Sequence, residues 1–535
     1  MVSNPVDHTP ALDVDPFATE VLLDPIACDT AVREAAPAVW LPRYGCWAVG
    51  RHEHVHAIFN DWQTYSSAAG TGLANNRKET PWRKPSVILE VDPPQHTRTR
   101  TVLSRILSPA AMARLRQDFQ AKADALVDTL VERRRFDAAT DLATAFPMQV
   151  LPDAVGLPQD GRENLLPYAN LNFNAMGPKN ALYECALAAA GDAPDWVLRQ
   201  SRRENLKGDG FGARIFEAHD RGELDLEEAE LLVRVFLTAA LDTTIYGIGL
   251  ALFAFASHPA QWDALREDAS LTRAAFDEVL RFNAPSPFIG RTTTREVTLD
   301  GVSIGADEKI ILFIAAANRD PRRWQRPDEF DVRRRPTGHL AFGVGIHGCV
   351  GQMVARLEAE VVFNALRQRV KTFELDGPPT LRPDQLAARF CKPAARGRAA
   401  LKWAQVRRVR RGTGTMDGSQ AFTDSTLSSM RRSRPKSSCR SASLKPSVSR
   451  RSRSSAIRTI WSCRRWPSAV SAIRRWPLPV SMWTRPFSSI SRRLRLTTVL
   501  CMPTVSPIVP AVLRGQFDST DRIRHSLMPM PYRRR

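Results

Sequence analysis

A glycine-rich stretch around one cysteine, residues 342–351 (FGVGIHGCVG), most constrains what this chain can fold into. Gly345 and Gly351 allow the backbone to turn tightly and to approach a flat ligand closely. The apolar spacing that follows predicts an amphipathic helix from Gln352 to about Val370. Cys349 then lies near a helix N-terminus, where the helix dipole lowers the pKa of a thiol and favours the thiolate. A lone thiolate of this kind suits a soft metal such as haem iron.

The net charge of +20 is unevenly distributed along the 535 residues. Residues 402–535 carry 29 Lys and Arg against four Asp, a net charge of +25. The first 401 residues carry 47 basic and 52 acidic side chains, a net charge of −5. The body is therefore mildly acidic, and we expect no nucleic-acid binding from it.

The eight cysteines show no paired spacing, no C-x-x-C and no zinc pattern, which fits a reducing cytoplasm. The first 20 residues contain acids and prolines but no apolar run, so they resemble neither a signal peptide nor a membrane anchor. The sequence predicts a cytoplasmic protein without a membrane segment.

Helical patterns dominate, with short strands at a few places. Val39–Val49 predicts two short strands, and Lys309–Ala317 reads as an apolar strand. Asp300-Gly301 between two β-rich runs is a hairpin signal. The fold predicted is mainly α with smaller β-sheets.

An apolar helix is predicted from about Leu226 to Ser257, with Asp225 and Glu228 forming a capping box at its start. Asp242 and Thr243 lie inside the apolar span. Threonine there can satisfy itself by bonding to a carbonyl one turn earlier, which is the structural explanation. A buried carboxylate is harder to explain without a function, because leaving it unpaired is costly.

Two further pairs of side chains have a spacing that places them on one face of a helix. His96 and Arg100, four residues apart after Pro93-Pro94, share a helix face and could hold a carboxylate such as a haem propionate, although such pairs are more often solvated surface. Glu278 and Arg281 can pair within a helix that precedes the strand region.

In this order and spacing, these elements resemble a soluble bacterial cytochrome P450 over about residues 10–390. The resemblance implies a haem-thiolate monooxygenase with haem b between the long central helix and the Cys349 loop. Cys349 would be the axial ligand, whose electron donation favours O–O cleavage. Asp242 and Thr243 would deliver protons, and Glu278 and Arg281 would have a folding role. The residues implied to bind the haem are His96, Arg100, Arg291, His339, His347 and Cys349. The family usually has glycine where Ala240 lies.

More closely, the chain resembles the group of P450s that oxidise para-substituted benzoates. Shared stretches include 81–86 (PWRKPS), 92–98 (DPPQHTR) and 291–297 (RTTTREV). The resemblance implies substrate binding by Arg83, Ser86, Phe173 and Arg234, with the carboxylate held by charge-assisted donors. Three positions depart from the group. Val235 replaces a serine, Met176 replaces a phenylalanine, and Gly290 replaces a phenylalanine, a change expected to open the pocket.

The domains expected are residues 1–400, the monooxygenase, and residues 401–535, a basic Arg-, Ser- and Pro-rich tail. One interpretation of the tail is a disordered basic arm for nucleic acid or membrane. The preferred hypothesis is a frameshift near Cys391 to Lys392, where the resemblance fails abruptly. On that hypothesis the chain lacks the family's last strands.

The reaction implied is insertion of one atom of O2 into a small aromatic substrate, by O-demethylation or hydroxylation. No reductase domain or iron–sulfur cysteine pattern is present, so the partners expected are a ferredoxin and a ferredoxin reductase. The alternatives are a P450 acting on a different small hydrophobic substrate and a haem-binding sensor. The Asp242-Thr243 pair argues against a sensor, which needs no proton relay.

Overall fold

Helices dominate the computed structural model, which describes residues 10–376, 381–385, 389–390 and 400–403. The α-helices are α1 (Thr19–Leu23), α2 (Ile26–Ala35), α3 (His52–Asn60), α4 (Gln95–Ile106), α5 (Pro109–Arg133), α6 (Ala145–Val155), α7 (Leu165–Asn174), α8 (Ala181–Ala190), α9 (Ala193–Gln200), α10 (Phe211–Asp220), α11 (Leu226–Phe236), α12 (Ala239–Ser257), α13 (Pro259–Glu267), α14 (Thr272–Phe282), α15 (Ile314–Ala317) and α16 (Gln352–Arg369). Shorter helical turns are Ala138–Thr144, Arg162–Asn164, Arg203–Asn205, Ala269–Leu271 and Gly345–His347. The predicted fold class, mainly α with smaller sheets, is confirmed.

The strands form small sheets beside the helices. They are β1 (Val39–Leu41), β2 (Cys46–Val49), β3 (Tyr65–Ser66), β4 (Arg135–Asp137), β5 (Phe288–Thr293), β6 (Val297–Leu299), β7 (Val302–Ile304), β8 (Lys309–Phe313), β9 (Phe373–Leu375), β10 (Leu381–Arg382), β11 (Arg389–Phe390) and β12 (Ala400–Trp403). The largest sheet has the order β1-β2-β8-β5-β3, in which only β2 and β8 pair in parallel. The predicted strand pair in 39–49 and the hairpin turning at Asp300-Gly301 are both confirmed.

The last described strand begins at the expected domain boundary, where β12 pairs antiparallel with both β4 and β9 from Ala400 opposite Asp137. The loss of the family's final strands, which the frameshift hypothesis implies, stays a prediction. Backbone groups on the facing edges of β4 and β9 can be satisfied by an extended segment whatever its side chains, which explains why a strand forms here. It extends three residues beyond the predicted boundary at residue 400. The remainder of the predicted tail lies outside the described residues.

The predicted helix 226–257 divides in two. The Thr238 hydroxyl donates to the carbonyls of Arg234 and Val235 at 3.1 and 3.3 Å, so it competes with main-chain bonding at the break. The capping box is present, with the Glu228 N–H donating to Asp225 Oδ1 at 2.7 Å. By length and composition, 226–257 is the one helical stretch in the described ranges that could cross a membrane. Most of its residues are buried inside the protein, as expected of a core helix.

Helix α12 lies at the centre of the largest apolar cluster, against α14 and α16. Phe255 is fully buried and its ring packs 5.3 Å from those of both Trp262 and Phe363. The predicted strand 309–317 is shorter than expected, because the chain turns after Phe313 into α15. This turn brings the Asn318 carbonyl within 2.9 Å of the Arg281 guanidinium.

Candidate functional site

The Cys349 loop is built on a close backbone approach. Gly345 has φ +70°, and a Cβ added there would lie 2.4 Å from the Phe59 carbonyl oxygen at the end of α3. The Cys349 N–H donates to the Phe342 carbonyl at 2.7 Å, which closes the loop just before α16 begins at Gln352. Only glycine fits at position 345, as predicted from its place in the motif.

Gly351, the second predicted turn glycine, has an ordinary backbone conformation. Gly351 has φ −84°, a conformation that any residue adopts, whereas Gly343 has φ +61°. Gly351 lies in the turn before α16, as expected, but its φ does not require glycine. The loop positions whose positive φ favours glycine are Gly343 and Gly345, both before the cysteine.

The Cys349 side chain is half-buried, and desolvation raises the pKa of its thiol. The backbone N–H groups of Gly351 and Gln352 and the guanidinium groups of Arg100 and Arg356 act in the opposite direction. Sequence analysis predicted a lowered pKa for the Cys349 thiol from its place at a helix N-terminus. In the protein alone the pKa is raised instead, because desolvation is the largest effect. A positively charged metal at the sulfur would reverse this balance.

Two histidines and an arginine meet beside this loop. Helix α4 places His96 and Arg100 one turn apart, and the His96 and His347 rings lie 4.3 Å apart between centroids. Arg100 Nη1 donates to the Gly348 carbonyl at 2.5 Å. Burial is the largest cause that lowers the pKa of His96, to about 4. His347 Nε2 is 4.0 Å from Asp92 Oδ1, beyond hydrogen-bond distance.

Arg291 adds a buried cation to this group. Its Nη1 donates to the Gly290 carbonyl at 2.7 Å, and its guanidinium lies 5.2 Å from the centre of the Phe59 ring. Burial lowers its pKa to about 10. Among the described residues no carboxylate is within ion-pair distance of it, in contrast to most buried arginines.

Several polar atoms here are buried and unpartnered within the described residues, namely His96 Nε2 and both ring nitrogens of His347. Arg100 and Arg291, whose described hydrogen bonds go to backbone carbonyls, add two cations to this set. Buried polar groups are normally hydrogen-bonded, so this set fits a ligand with anionic groups. The carboxylates of a haem are such groups, and the nearby thiol supplies a ligand for its iron.

His339 was predicted to belong to this set, and its contacts are elsewhere. Its Nε2 lies 3.7 Å from Asp277 Oδ1 on α14, and its Nδ1 accepts the Ala341 N–H at 3.3 Å. Arg356 pairs with the same Asp277 at 2.8 Å. The assignment of His339 to a haem propionate stays a prediction; in the protein alone its ring lies beside the α14 carboxylate.

The predicted proton-relay residues lie in the first turn of α12. The Thr243 hydroxyl donates to the Ala239 carbonyl at 2.8 Å, which is the local bond anticipated from sequence. Asp242 is almost fully buried. Sequence analysis placed it in the middle of a helix, but the break at Thr238 puts it near an N-terminus, where the helix dipole stabilises a carboxylate.

Three of the four predicted substrate residues meet on the loop before α4. Arg83 Nη1 and the Ser86 N–H both bind Glu90 Oε2, at 2.9 and 2.7 Å. Arg234, from α11, is buried and donates to the Lys84 carbonyl at 2.8 Å. Burial lowers the pKa of Arg234. Glu90 was missed as a site residue, although it lies in the sequence only four residues after Ser86.

Phe173, the fourth, lies apart from these cations in an apolar cluster. Its ring stacks on that of Tyr246 at 5.5 Å, and Tyr246 is three residues after Thr243 on α12. Leu73 and Met176 pack on the same cluster. Sequence analysis missed Tyr246 and Leu73, because their contacts join segments far apart in the chain.

Gly290 does not open the pocket as expected. A Cβ added there would lie 2.3 Å from the Gly72 carbonyl oxygen, and the Gly290 N–H donates to the Thr71 carbonyl at 2.6 Å. The backbone of 71–72 therefore occupies the space that a side chain at position 290 would need. The prediction of a wider pocket here is wrong for this reason.

Comparison with known proteins yields one family. A family model described as cytochrome P450 matches residues 199–395. The chain is 50% identical over 381 residues to cytochrome p450 CYP199A2 of Rhodopseudomonas palustris, covering 70% of this chain and 92% of that protein. It is 30% identical over 424 residues to cytochrome P450 monooxygenase PikC of Streptomyces venezuelae, covering 76% and 97%.

Solved structures agree with these matches. Cytochrome P450 CYP109Q5 from Chondromyces apiculatus superposes with a TM-score of 0.62 at 28% identity, covering 73% of this chain and 98% of that one. Cytochrome P450 CREJ in complex with (4-ethylphenyl) dihydrogen phosphate gives 0.65 at 24% identity over the same shares, a likeness of fold alone. The fold and the family resemblance predicted from sequence are confirmed.

Proposed function

Because the chain belongs to the cytochrome P450 family, whose members are monooxygenases that bind haem through a cysteine thiolate, we propose that Cys349 is its axial ligand. The buried ring nitrogens without described partners, His96 Nε2 and both of His347, support this assignment, as does the buried cation of Arg291 nearby. Bound haem b supplies the oxygen-activating chemistry, in which one oxygen atom enters the substrate and the other leaves as water. Arg100 holds the loop itself through the Gly348 carbonyl.

Proton delivery is assigned to Asp242 and Thr243. The Thr243 hydroxyl proton is directed at the Ala239 carbonyl, so its oxygen lone pairs are free to accept a proton or a water. Asp242 is adjacent in the same helical turn and buried, which keeps bulk water away from the relay.

The substrate assigned is a small aromatic acid, a para-substituted benzoate. The observation that carries this assignment is Arg234, a buried guanidinium with no carboxylate at ion-pair distance among the described residues. Arg83 and Glu90 neutralise each other, so Arg234 leaves one positive charge uncompensated. The Ser86 hydroxyl accepts the Leu89 N–H at 3.3 Å, which leaves its own proton available for a ligand. A single carboxylate satisfies both groups.

Oxidation at the para position follows from this orientation. A carboxylate held by Arg234 and Ser86, with the ring against Phe173, directs the opposite substituent away from the cations. The products expected are the O-demethylated or hydroxylated acids. Two electrons per turnover come from a ferredoxin and its reductase, acting in the cytoplasm.

A substrate titration tests this proposal. Para-methoxybenzoate should displace iron-bound water and shift the haem spin state. Arg234→Met should weaken that binding at least about tenfold, since a charge-assisted hydrogen bond is lost. Arg116→Met, which removes an exposed arginine paired with Glu360, is the matched control and should bind normally. Silence across a panel of para-substituted benzoates would rule out the substrate class and leave the enzyme class intact.

One observation favours a second candidate, oxidation of an uncharged aromatic. Glu90 already satisfies Arg83 and the Ser86 N–H, so part of the expected anion site is occupied from within. The same panel should therefore include para-substituted phenols and anisoles. A spin shift with these and none with benzoates would favour the second candidate.

The change in composition after about residue 391 is assigned to a frameshift, with residues 1–400 as the catalytic domain. The uneven charge supports this, because all of the positive excess lies beyond residue 401. Sequencing the gene across codons 385–400 tests it. An uninterrupted frame would overturn the hypothesis.

A further inference from the structure

Backbone hydrogen bonds join residues 71–73 to Gly290 and to Met176. The Gly290 N–H donates to the Thr71 carbonyl at 2.6 Å, and the Leu73 N–H donates to the Met176 carbonyl at 2.8 Å. We call residues 71–73 with Gly290 the glycine seam. A Cβ added at Gly72 would lie 2.8 Å from the Met176 carbonyl oxygen, and one at Gly290 would be closer still to Gly72. Any larger residue at position 72 or 290 must therefore displace backbone.

The C-terminal end of α7 is held by Gln385. Its Nε2 donates to the carbonyls of Asn174 and Pro178, both at 2.8 Å, and its N–H donates to Asn174 Oδ1 at 3.2 Å. The side chain is fully buried. The last carbonyls of a helix lack partners within the helix, so Gln385 caps the C-terminal end of α7.

The start of the seam is anchored by a buried lysine. Lys309 Nζ donates to the carbonyls of Gly70 and Ala69 at 3.0 and 3.3 Å. Burial lowers the pKa of Lys309 to about 8. Three separate elements, namely β5, β8 and the 384–385 segment, therefore fix the backbone on either side of Met176.

The side chains carried by this backbone face one cluster. Leu73 comes from the seam, Phe173 from the end of α7 and Met176 from two residues after it, and all belong to the cluster that contains Tyr246. Tyr246 is one turn after Thr243 on α12, so this wall adjoins the assigned proton relay.

We propose that the glycine seam and Gln385 position the wall formed by Leu73, Phe173 and Met176, and thereby limit the size of the ligand that reaches the haem. Gly290 and Gln385 are positioning residues, since neither needs to touch the ligand. The inference rests on the proposed haem site but not on the choice of benzoate.

The test compares two haem-binding azoles in the haem-loaded full chain. Imidazole is small and 4-phenylimidazole is large. Binding of either azole's nitrogen to the haem iron shifts the haem absorbance, and this shift measures the affinity. Gly290→Ala pushes the 71–72 backbone away, so affinity for 4-phenylimidazole should rise about fivefold or more relative to imidazole. Gly249→Ala is the matched control, because its Cβ meets only Ala143 at an ordinary 3.7 Å. The control should leave the ratio within about twofold.

Gln385→Ala is the second variant, in case Gly290→Ala fails to take up haem. It should shift the azole ratio in the same direction and speed amide hydrogen exchange at 174–177, while Gly249→Ala does neither. An unchanged ratio in both seam variants would overturn the proposal. Because azoles need no carboxylate site, a panel of silent benzoates with a shifted azole ratio would reject the substrate and retain the seam.

Discussion

Two buried arginines ten residues apart differ in how completely they are satisfied. Arg281 on α14 makes two bonds to Glu278, at 2.8 and 2.9 Å, and donates to the carbonyls of Asn318, Pro327 and Glu329. Arg291 on β5 has one described hydrogen bond, to a neighbouring carbonyl. Both side chains are almost entirely shielded from water.

The difference separates a folding role from a binding role. A buried charge is tolerated when counter-charge and hydrogen bonds surround it, and Arg281 finds them all within the chain. Arg291 does not find them among the described residues, and it lies near His347 and His96, of which both His347 ring nitrogens and His96 Nε2 lack described partners. We infer that a saturated buried network holds the fold together, whereas several unsaturated groups that converge mark a ligand site.

Arg281→Met gives the largest effect expected from this comparison. It leaves Glu278 buried with Arg334 as its remaining cation, and it removes the donor for three carbonyls. We expect a loss of about 3–5 kcal/mol in the free energy of unfolding, with or without haem. Urea denaturation of both forms measures it. A loss below about 1 kcal/mol would mean that the saturated network contributes little to the fold.

Sequence patterns predicted the parts of this protein that depend on local spacing. The Glu278–Arg281 pair, the Asp225 capping box and the hairpin turn at Asp300-Gly301 are each set by residues within four positions. The Cys349 loop was found for the same reason, since one short motif contains its turns and its thiol.

Contacts between distant segments were not predictable in this way. Gly290 was expected to widen the pocket, but residue 72 fills the space, and no local pattern links positions 72 and 290. His339 lies beside Asp277, 62 residues earlier, a contact that no local pattern reveals. The break at Thr238 depends on a hydroxyl competing for carbonyls, which apolar periodicity does not reveal.

Glu358 on α16 is a single unsaturated buried group that does not belong to the proposed ligand site. Its side chain is buried, and both of its carboxylate oxygens lack described partners. Burial raises its pKa from 4.5 to about 8. Between those values the folded state keeps a proton that the unfolded state releases, so stability falls as pH rises from about 4.5 to 8. Glu358→Gln should remove this dependence and raise the free energy of unfolding by about 3 kcal/mol at pH 7.

Urea denaturation at pH 5 and pH 8 measures this change. The control is Glu360→Gln, two residues along, where an exposed carboxylate pairs with Arg116 and the change should stay below about 1 kcal/mol. Haem retention should be normal in both variants. Loss of haem from Glu358→Gln would show that a single unsaturated group, without convergence, can also mark the ligand site.

Arg291→Met is the matched counterpart of Arg281→Met and should have the smallest effect on the apoprotein. Removing a buried cation that has no described carboxylate at ion-pair distance costs little, so its free energy of unfolding should stay within about 1 kcal/mol of the parent. Haem release to apomyoglobin should nevertheless be at least about tenfold faster, because the proposed charge-assisted bond to the cofactor would be lost. The two arginine variants should therefore affect opposite properties. If Arg291→Met destabilised the apoprotein as much as Arg281→Met, the number of partners around a buried charge would not distinguish folding from binding, since the unsaturated arginine would then be supporting the fold as well.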